Sequence, residues 1–364
     1  MKIREIQTED YPQIRELHIK YNLKILDKIE WINFWSRNPC IQDSKDSLPL
    51  GWILEENKRI VGYLGNIPKE YYYKNKKFTV ACSHAWVAEN KYRLHAFSLL
   101  ETFFSQKNID VYIITTANNI SEKVLTRYNA KKIPLENFQN PMFIILNLEK
   151  LISSYLKYKK IKLGKFIVKL LYYPAYIFYY KKLNFWKKTK QSKKVILNEI
   201  IDTKFDDFWE SYKLNFQNKL LQNRNATWLN WHIKEKIKND KAWIMSVIEN
   251  NKILGYAICS ERNNEKIELH RIEIIDLVAL DDNQEVYYSL IKNCILETKK
   301  RGYHIFEMTG FKHLKRKIFS EFKIIKRKLP TFPFYYKTSN VYYKNFLENS
   351  EMWDPSLIDG DAFL

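Results

Sequence analysis

The sequence predicts an α/β protein with two domains of the same fold, each a mixed central sheet flanked by helices. The first observation is a duplicated hairpin, because residues 54–63 and 247–256 both read as strand, polar turn and strand, and both end in Gly-Tyr. The second is the spacing of 193 residues between Gly62 and Gly255, which suits one domain rather than a solenoid repeat. The third is the alternation of short strands and helices around each hairpin, which is typical of α/β sheets.

Length and composition indicate a packed globular protein. The 364 residues are 46% hydrophobic and 15% aromatic, which suffices for two domains with full cores. The four cysteines lie far apart with no histidine at ligand spacing, so neither a disulfide framework nor a metal site is expected, and a reducing compartment is the default. Because neither a signal peptide nor a run of roughly 18 apolar residues is present, the chain is expected to be cytoplasmic.

The first half of the chain is predicted to form one domain, residues 1–150. A strand at 3–6 precedes a helix whose start is capped by the Thr8-Glu9-Asp10 run. Strands 52–55 and 60–66 form the first hairpin, which Ile67-Pro68 ends. Hydrophobic periodicity predicts the remaining elements, namely strand 78–87, helix 96–106, strand 111–115, helix 120–128 and strand 142–148.

The second half repeats this order more loosely and is predicted to form a second domain, residues 199–350. Its elements are helices 205–216 and 228–237, hairpin strands 243–248 and 253–259, strand 267–280, helix 286–300, strand 305–308 and helix 313–320. A tail follows at 351–364. Its Asp359-Gly360-Asp361 segment is either a lid that reaches back to a site or a frayed terminus.

Residues 151–198 are predicted to form a basic, aromatic-rich helical linker between the domains. The stretch contains thirteen lysines and no acidic residue, within a chain of formal charge +20. Lysines interleaved with tyrosine and tryptophan suit an anionic membrane surface, here through residues 151–194, and would place the protein on the inner membrane face. The alternatives are a solvated helix that packs between the domains and, less favoured, a platform for single-stranded nucleic acid.

Residues 80–104 contain the most chemically suggestive pattern, a strand followed by a basic loop and a helix. Backbone N–H groups at a helix N-terminus can hold a pyrophosphate. Small residues at 96 and 98 let a phosphate approach closely, and an arginine adds charge-assisted hydrogen bonds. The candidate phosphate loop is Arg93, Leu94, His95, Ala96, Phe97 and Ser98.

This loop resembles the coenzyme-A loop of the GNAT acyltransferases, which reads Arg/Gln-x-x-Gly-x-Gly/Ala directly after the central strand. Arg93-x-x-Ala96-x-Ser98 matches it in spacing and departs from it at both glycines. The resemblance implies that acetyl-CoA or another acyl-CoA is held between the two central strands. It also implies that main-chain donors of Trp86 and Val87 bind the pantetheine arm, and that Asn118 contacts the same arm.

Three residues are candidates for acid–base chemistry. His84 lies in the central strand beside the expected thioester, where histidine suits a general base; the alternative is a buried core histidine. In the GNAT family a tyrosine that acts as the general acid stands early in a Leu-x-x-x-Gly pattern, which ends the helix after the second central strand. This chain has Leu125 there, so Tyr128 either supplies the acid or only packs. The third candidate is Asp276.

The second copy is predicted not to bind coenzyme A. Its matching loop, residues 280–286, has three acidic residues and no arginine, and acids at a helix N-terminus repel a pyrophosphate. The following candidates for acceptor binding lie on the long strand: Glu268, His270 and Glu273. Strand alternation would place Glu268 and His270 on one face with Asp276, although ion pairs with Arg271 or Lys252 would explain these carboxylates equally well.

These observations lead to one main functional hypothesis and two alternatives. The chain as a whole resembles tandem GNAT proteins of bacterial surface-polysaccharide gene sets, which implies acyl-CoA-dependent N- or O-acyl transfer to a sugar or amino sugar, possibly nucleotide- or lipid-linked. A Fem-type aminoacyl transferase that uses charged tRNA is the first alternative, since the positive charge suits RNA. A membrane adaptor with a catalytically inactive fold is the second, because the loop lacks both glycines.

Overall fold

The computed structural model describes residues 1–43, 48–138, 140–161, 177, 193–322, 324–326, 333–362 and 364. The strands in these ranges are β1 (Lys2–Glu5), β2 (Gly51–Glu56), β3 (Arg59–Tyr73), β4 (Lys76–Ala88), β5 (Val111–Ile114), β6 (Lys131–Lys132), β7 (Met142–Ile145), β8 (Val195–Asn198), β9 (Leu221–Gln222), β10 (Ala242–Glu249), β11 (Lys252–Glu261), β12 (Arg271–Ala279), β13 (Ile305–Met308), β14 (Ile325–Lys326) and β15 (Tyr335–Lys337). The α-helices are α1 (Tyr11–Lys20), α2 (Lys28–Ser36), α3 (Pro39–Asp43), α4 (Ala96–Phe104), α5 (Asn119–Arg127), α6 (Leu148–Tyr158), α7 (Lys204–Asn215), α8 (Ala226–Lys238), α9 (Gln284–Lys300), α10 (His313–Ser320) and α11 (Val341–Leu347).

The chain folds into two compact units, and each unit combines segments that are distant in sequence. The first unit comprises Met1–Glu136, Phe216–Lys234 and Phe332–Leu364, and the second comprises Asn137–Asn215 and Glu235–Thr331. The predicted division into consecutive domains therefore has to be revised, because each half of the sequence contributes a strand to the other half's sheet.

The first unit is built on an eight-stranded mixed sheet. Its strands run in the order β1-β2-β3-β4-β5-β15-β6, and β9 pairs with β3. The hairpin strands β2 and β3 are antiparallel, whereas β4 and β5 are parallel, with Val80 opposite Val111. Helix α4 covers this sheet with its apolar side, and Leu99 and Phe103 are fully buried in one core cluster with Leu64.

The second unit is built on a seven-stranded mixed sheet in the order β14-β7-β13-β12-β11-β10-β8. It repeats the antiparallel hairpin in β10 and β11 and the parallel central pair in β12 and β13. Helix α9 packs on the sheet, where Leu290 and Cys294 are fully buried in a cluster with Phe306. The predicted α/β class with two mixed sheets is confirmed in both units.

Strands β7 and β15 show why the position of a strand in the sequence does not predict which sheet it joins. The apolar run Met142–Ile145 was expected to complete the first sheet, but Ile144 pairs with Phe306 of β13 in the second. Tyr336 near the end of the chain instead pairs with Ile113 of β5 in the first sheet. A short apolar strand satisfies the exposed edge of either sheet, so its sequence does not specify which one it joins.

The long strand predicted at 267–280 is shorter in the structure. A 3-10 helix spans Glu265–Ile267, Glu268 takes a left-handed conformation with φ 51°, and β12 begins only at Arg271. An irregularity then leaves Ile275 as an extra residue between the pairs Ile274–Cys259 and Asp276–Ile258. Both features break the two-residue alternation on which the predicted common face of Glu268, His270 and Asp276 depended. Glu268 and His270 precede β12, and Asp276 lies within it beyond the extra residue.

Most of the predicted basic linker lies outside the described residues. Within the described part, Leu148–Tyr158 forms α6 and Val195–Asn198 forms β8, and both belong to the second unit. Among the residues that the structure describes, no helix is both long enough and apolar enough to cross a membrane.

Candidate active site in the first unit

The centre of the first sheet contains a β-bulge on β4. Tyr63 pairs with Val87 and Gly65 pairs with His84, so three residues of β3 face four residues of β4. The extra length is absorbed at Ala85, which has φ 52°, a value that few residues with a side chain adopt. Bulges of this kind redirect side chains and are frequent beside active sites.

Just before this bulge the two central strands stop pairing, and the tail of the chain lies between their ends. The last β4–β5 pair is Cys82–Ile113. Beyond it, the carboxylate of Asp361 accepts hydrogen bonds from the hydroxyls of Thr115, at 2.5 Å, and Thr116, at 3.0 Å. The same carboxylate lies 3.3 Å from Nδ1 of His84. The predicted base therefore has a carboxylate partner that orients its ring.

A buried polar network holds the tail in this position. The Nζ atom of Lys69 donates to the carbonyls of Ile358, at 2.5 Å, and Gly360, at 2.8 Å. Arg224 forms an ion pair with Asp359 at 3.1 Å, and both side chains are almost completely buried. Burial lowers the pKa of Lys69 to about 8, since the interior disfavours its charge. These contacts exclude a frayed terminus, and the tail is a fixed part of the first unit.

Two further polar groups surround the ring of His84. The ring centroid of His18 lies 6.2 Å from that of His84 and 4.8 Å from that of Tyr63. Burial, together with a smaller contribution from the charge of His84, lowers the pKa of His18 to about 4. Among the described residues, neither Nε2 of His18 nor the hydroxyl of Tyr63 has a hydrogen-bond partner. Such buried groups are rare and require an explanation.

The candidate phosphate loop is exposed and leads directly into α4. Arg93, Leu94 and His95 are exposed, and Ala96 is buried at the helix start. The loop is braced by Trp86, whose Nε1 donates to the carbonyl of Ala96 at 2.9 Å. The side chain of the N-cap residue His95 makes no capping hydrogen bond, although the backbone N–H groups of His95, Ala96 and Ser98 form turn bonds of 3.0–3.2 Å.

In the corresponding loop of the second unit, a side chain already caps the start of the helix that follows. It spans only 280–283, whereas the first spans 89–95. The side chain of Asn283 caps α9 by accepting from the N–H groups of Glu285 and Val286. Since these are donors that a phosphate would need, the second helix start is already satisfied. The two helix starts therefore differ in their side-chain capping, and it stays a prediction that only the first copy binds coenzyme A.

The structure does not bring the other predicted residues to His84. Tyr128 ends α5, where its hydroxyl donates to Glu101 at 3.0 Å and its ring packs against Phe104. The side chain of Asn118 caps α5 by accepting from two backbone N–H groups. Val87 and Phe97 flank Trp86, the first along β4 and the second through a ring contact with centroids 6.2 Å apart.

The predicted acceptor residues, and Asp276 as the third acid–base candidate, all lie in the second unit. Asp276 is fully buried and accepts a hydrogen bond from Tyr256 at 3.1 Å. Glu273 is buried and forms an ion pair with Arg262 at 2.9 Å. Glu268 pairs with Lys157 at the surface, and His270 packs against His304. Glu268 and Glu273 are thus ion-paired, as the alternative expected, but with Lys157 and Arg262 rather than with Arg271 or Lys252.

Several residues of the site escape sequence reasoning. Thr115, Thr116 and Asp361 come together only because the tail folds back onto β5, and no local pattern announces this pairing. Two signals were usable. The Asp359-Gly360-Asp361 segment was predicted either to reach back to a site or to fray, and the structure shows the first of these. The Gly-Tyr ending of the first hairpin places Tyr63 opposite Val87 and beside His84.

Comparison with known proteins identifies the class of fold. No protein-family profile and no curated protein sequence matches the chain. Among solved structures, it resembles a GCN5-related N-acetyltransferase from Anabaena variabilis ATCC 29413, with 12% identity, a TM-score of 0.57 and coverage of 93% of this chain and 73% of that one. Saccharomyces cerevisiae N-myristoyltransferase with bound myristoyl-CoA has 14% identity, a TM-score of 0.57 and coverage of 93% and 78%.

A third similar structure is a conserved protein of unknown function from Enterococcus faecalis V583, described as a probable N-acyltransferase. It has 11% identity, a TM-score of 0.54 and coverage of 93% of this chain and 72% of that one. At such identities the likeness concerns the fold, and the chain has the fold of GNAT-type N-acyltransferases.

Proposed function

We propose that the chain is an acyl-CoA-dependent N-acyltransferase whose first unit carries the chemistry. The observation that carries this proposal is the contact between His84 and Asp361, at the bulge where β4 and β5 stop pairing. Three solved structures of this fold are described as N-acyltransferases, and one of them contains myristoyl-CoA. The proposal therefore joins a candidate base to a fold that supports acyl transfer elsewhere.

The residues of the first unit suit an acyl-CoA. No described strand pairs with β4 on the side of β5 beyond Cys82, which leaves backbone donors at 86–87 for a pantetheine arm. Arg93 and the start of α4 would hold the phosphates. The acyl-CoA supplies the acyl group as an activated thioester.

The chain's own residues would then move one proton. His84 takes a proton from the attacking amine while the new C–N bond forms and the C–S bond breaks. The imidazolium returns this proton to the departing thiolate, so that the products are an amide and free coenzyme A. Asp361 orients the ring through Nδ1 and stabilises its charged form, and the hydroxyls of Thr115 and Thr116 fix that carboxylate.

The acyl-CoA site is tested by calorimetry with acetyl-CoA on the full chain. We expect binding by the wild type and a loss of at least about tenfold in affinity for Arg93→Glu, because a charge-assisted hydrogen bond is replaced by repulsion. Lys107→Glu is the control, since Lys107 is also exposed and the change in net charge is the same. Absence of binding by the wild type, or equal binding by Arg93→Glu, would refute the site and favour the adaptor hypothesis.

The catalytic assignment is tested by release of free thiol with a panel of amines. We expect His84→Gln to lower kcat by roughly 10²–10⁴-fold, which is the usual contribution of a general base, while acetyl-CoA still binds. Asp361→Asn should lower kcat by less, since it leaves the base in place. If either variant keeps wild-type kcat, the residue has no part in proton transfer.

For the acceptor, we propose an amino sugar of surface-polysaccharide biosynthesis, as the sequence resemblance implies. A neutral imidazole suits an amine nucleophile better than a hydroxyl, because an amine is the stronger nucleophile and needs less help from a base. The panel should therefore contain amino sugars, free and nucleotide-linked, beside N-terminal glycine peptides. Acylation of the peptides alone would reject a sugar acceptor while leaving the acyltransferase assignment intact.

A further inference from the structure

The second unit contains a polar cavity that acyl transfer in the first unit does not use. Its volume is about 230 Å³, and its lining includes Lys150 and Lys157 of α6, Glu268, His270 and His304. Both β12 and β13 begin beside it, because His270 precedes β12 and His304 precedes β13. The cavity thus lies at the N-terminal ends of these two strands, whereas loop 280–283 follows the C-terminal end of β12.

His304 presents a hydrogen-bond donor to this cavity. The residue is 5% exposed, and its Nδ1 accepts from the backbone N–H of His270 at 3.4 Å. In a neutral ring with Nδ1 as acceptor, the proton is on Nε2. Burial, together with smaller contributions from His270 and Lys150, lowers the pKa of His304 to about 4, so the ring is neutral near pH 7. Among the described residues, Nε2 of His304 has no hydrogen-bond partner.

The charges around the cavity leave one cation uncompensated. Lys157 is paired with Glu268, and Glu268 is the acidic residue of the lining. Lys150 has no ion-pair partner within the described ranges. The hydroxyl of Ser154 is already used, since it donates to the carbonyls of Lys150 and Glu268. Within the part of the chain that the structure describes, the groups left unused are the ammonium of Lys150, Nε2–H of His304 and the ring nitrogens of His270. Two of these groups are donors, and Lys150 alone among them carries a fixed positive charge.

From this arrangement we infer that the cavity binds the phosphoryl group of a small phosphorylated molecule. Lys150 supplies the charge, and His304 supplies a neutral donor of fixed direction. The cavity can hold a molecule of several heavy atoms beyond the phosphate itself, so a phosphomonoester is favoured over free phosphate. This site is separate from the proposed acyl-CoA site, and it does not depend on acyl transfer.

Binding is measured on the full chain by ³¹P NMR and calorimetry, without acyl-CoA, using glycerol 3-phosphate, inorganic phosphate, acetate and glycerol as probes. We expect glycerol 3-phosphate to bind more tightly than inorganic phosphate and to compete with it. Acetate and glycerol should bind at least about tenfold more weakly, because each lacks most of the charge-assisted hydrogen bonds. Imidazole proton resonances, assigned with His304→Gln, should shift on titration of the wild type.

The decisive variant is Lys150→Ala, with Lys150→Arg and Lys266→Ala as matched controls. Lys266 is an exposed lysine of the neighbouring 3-10 helix and does not line the cavity. We expect Lys150→Ala to weaken glycerol 3-phosphate binding about tenfold or more, Lys150→Arg to restore most of it, and Lys266→Ala to leave it unchanged. No phosphate binding, binding that survives Lys150→Ala, or equal affinity for acetate would overturn the inference.

Discussion

Two tyrosines follow the glycines of the two hairpins, and their hydroxyls have different surroundings. Tyr256 donates to the buried carboxylate of Asp276 at 3.1 Å. Tyr63 faces the ring of His84, and its hydroxyl has no hydrogen-bond partner among the described residues. The first unit thus keeps polar atoms available around its bulged strand, whereas the second unit satisfies the corresponding group internally.

This difference gives opposite expectations for two identical substitutions. Tyr63→Phe removes a hydroxyl that makes no hydrogen bond, so the free energy of unfolding should stay within about 1 kcal/mol of the wild type or increase. Tyr256→Phe removes a donor from a buried carboxylate and should cost about 1–3 kcal/mol. Urea unfolding of both variants measures the difference. An equal loss in both would mean that Tyr63 has a partner, such as a buried water.

A second prediction at the scale of residues concerns the ion pair that anchors the tail. Asp359→Asn leaves the guanidinium of Arg224 buried without its counter-charge, and breaking one side of a buried pair typically costs about 3–5 kcal/mol. Lys131→Ala is the control, because the Lys131–Glu348 pair is about half exposed on both sides and should cost less than about 1 kcal/mol. Similar losses of unfolding free energy in the two variants would contradict the role assigned to Arg224.

The helices and strands that could be predicted are those marked by a pattern within their own residues. The hairpins, α4, α9 and the central strands follow from periodicity and turn residues, and the contrast between loops 89–95 and 280–283 follows from their charges. Strands β7 and β15 were not assignable to a sheet, because their partners Phe306 and Ile113 lie 162 and 223 residues away from Ile144 and Tyr336. The bulges at Ala85 and Ile275 were also missed, since neither position has the glycine that often marks one.

The contact between the tail and β5 gives a prediction at the scale of elements. A Cβ atom on Gly360 would lie 2.1 Å from Cγ2 of Thr115, so Gly360→Ala should push the segment that carries Asp361 away from His84. We expect a reduced free energy of unfolding and a fall in kcat of about tenfold or more, since an orienting carboxylate would be displaced.

The matched control for this tail variant is Gly302→Ala. At Gly302 a Cβ atom meets nothing within 4 Å, although φ is +80°, so the cost should be about 1 kcal/mol of backbone strain with kcat unchanged. Proton NMR of the His84 ring would report its altered surroundings in Gly360→Ala. Normal kcat in Gly360→Ala would show that the tail does not position the base.

For the whole molecule, the sequence specifies the class of fold more fully than the site. The α/β class and the duplication depend on patterns repeated along the chain, so that many residues contribute to each inference. The site depends on single long-range contacts, such as Asp361 with Thr115 and Lys69 with Gly360. Each of these contacts depends on a single pair of residues that lie far apart in the sequence, and no periodic pattern identifies such a pair in advance.

The stability of the whole chain should fall steadily as the pH drops from about 7 to about 4. Burial lowers the pKa of His18 in the first unit and of His304 in the second to about 4 each, whereas an unfolded histidine titrates near about 6.5. Between these values the unfolded chain binds protons that the folded chain does not, so acid favours unfolding. For His18, which is almost fully buried, the loss between pH 7.5 and pH 4.5 should be about 2–3 kcal/mol.

Urea unfolding at pH 7.5 and pH 4.5 measures this loss in the wild type and in His18→Gln, whose side chain does not titrate. The variant should lose about 2–3 kcal/mol less than the wild type over this range. Carboxylates such as Asp10, whose pKa is lowered by its hydrogen bond to Arg4 although burial opposes that shift, also lose stabilising charge in acid. Their contribution cancels in the comparison because it is common to both proteins. His95→Gln, at an exposed histidine, should follow the wild-type dependence. If His18→Gln follows it as well, then His18 is protonated in the folded chain at the lower pH, and its unpartnered Nε2 has a way to reach water.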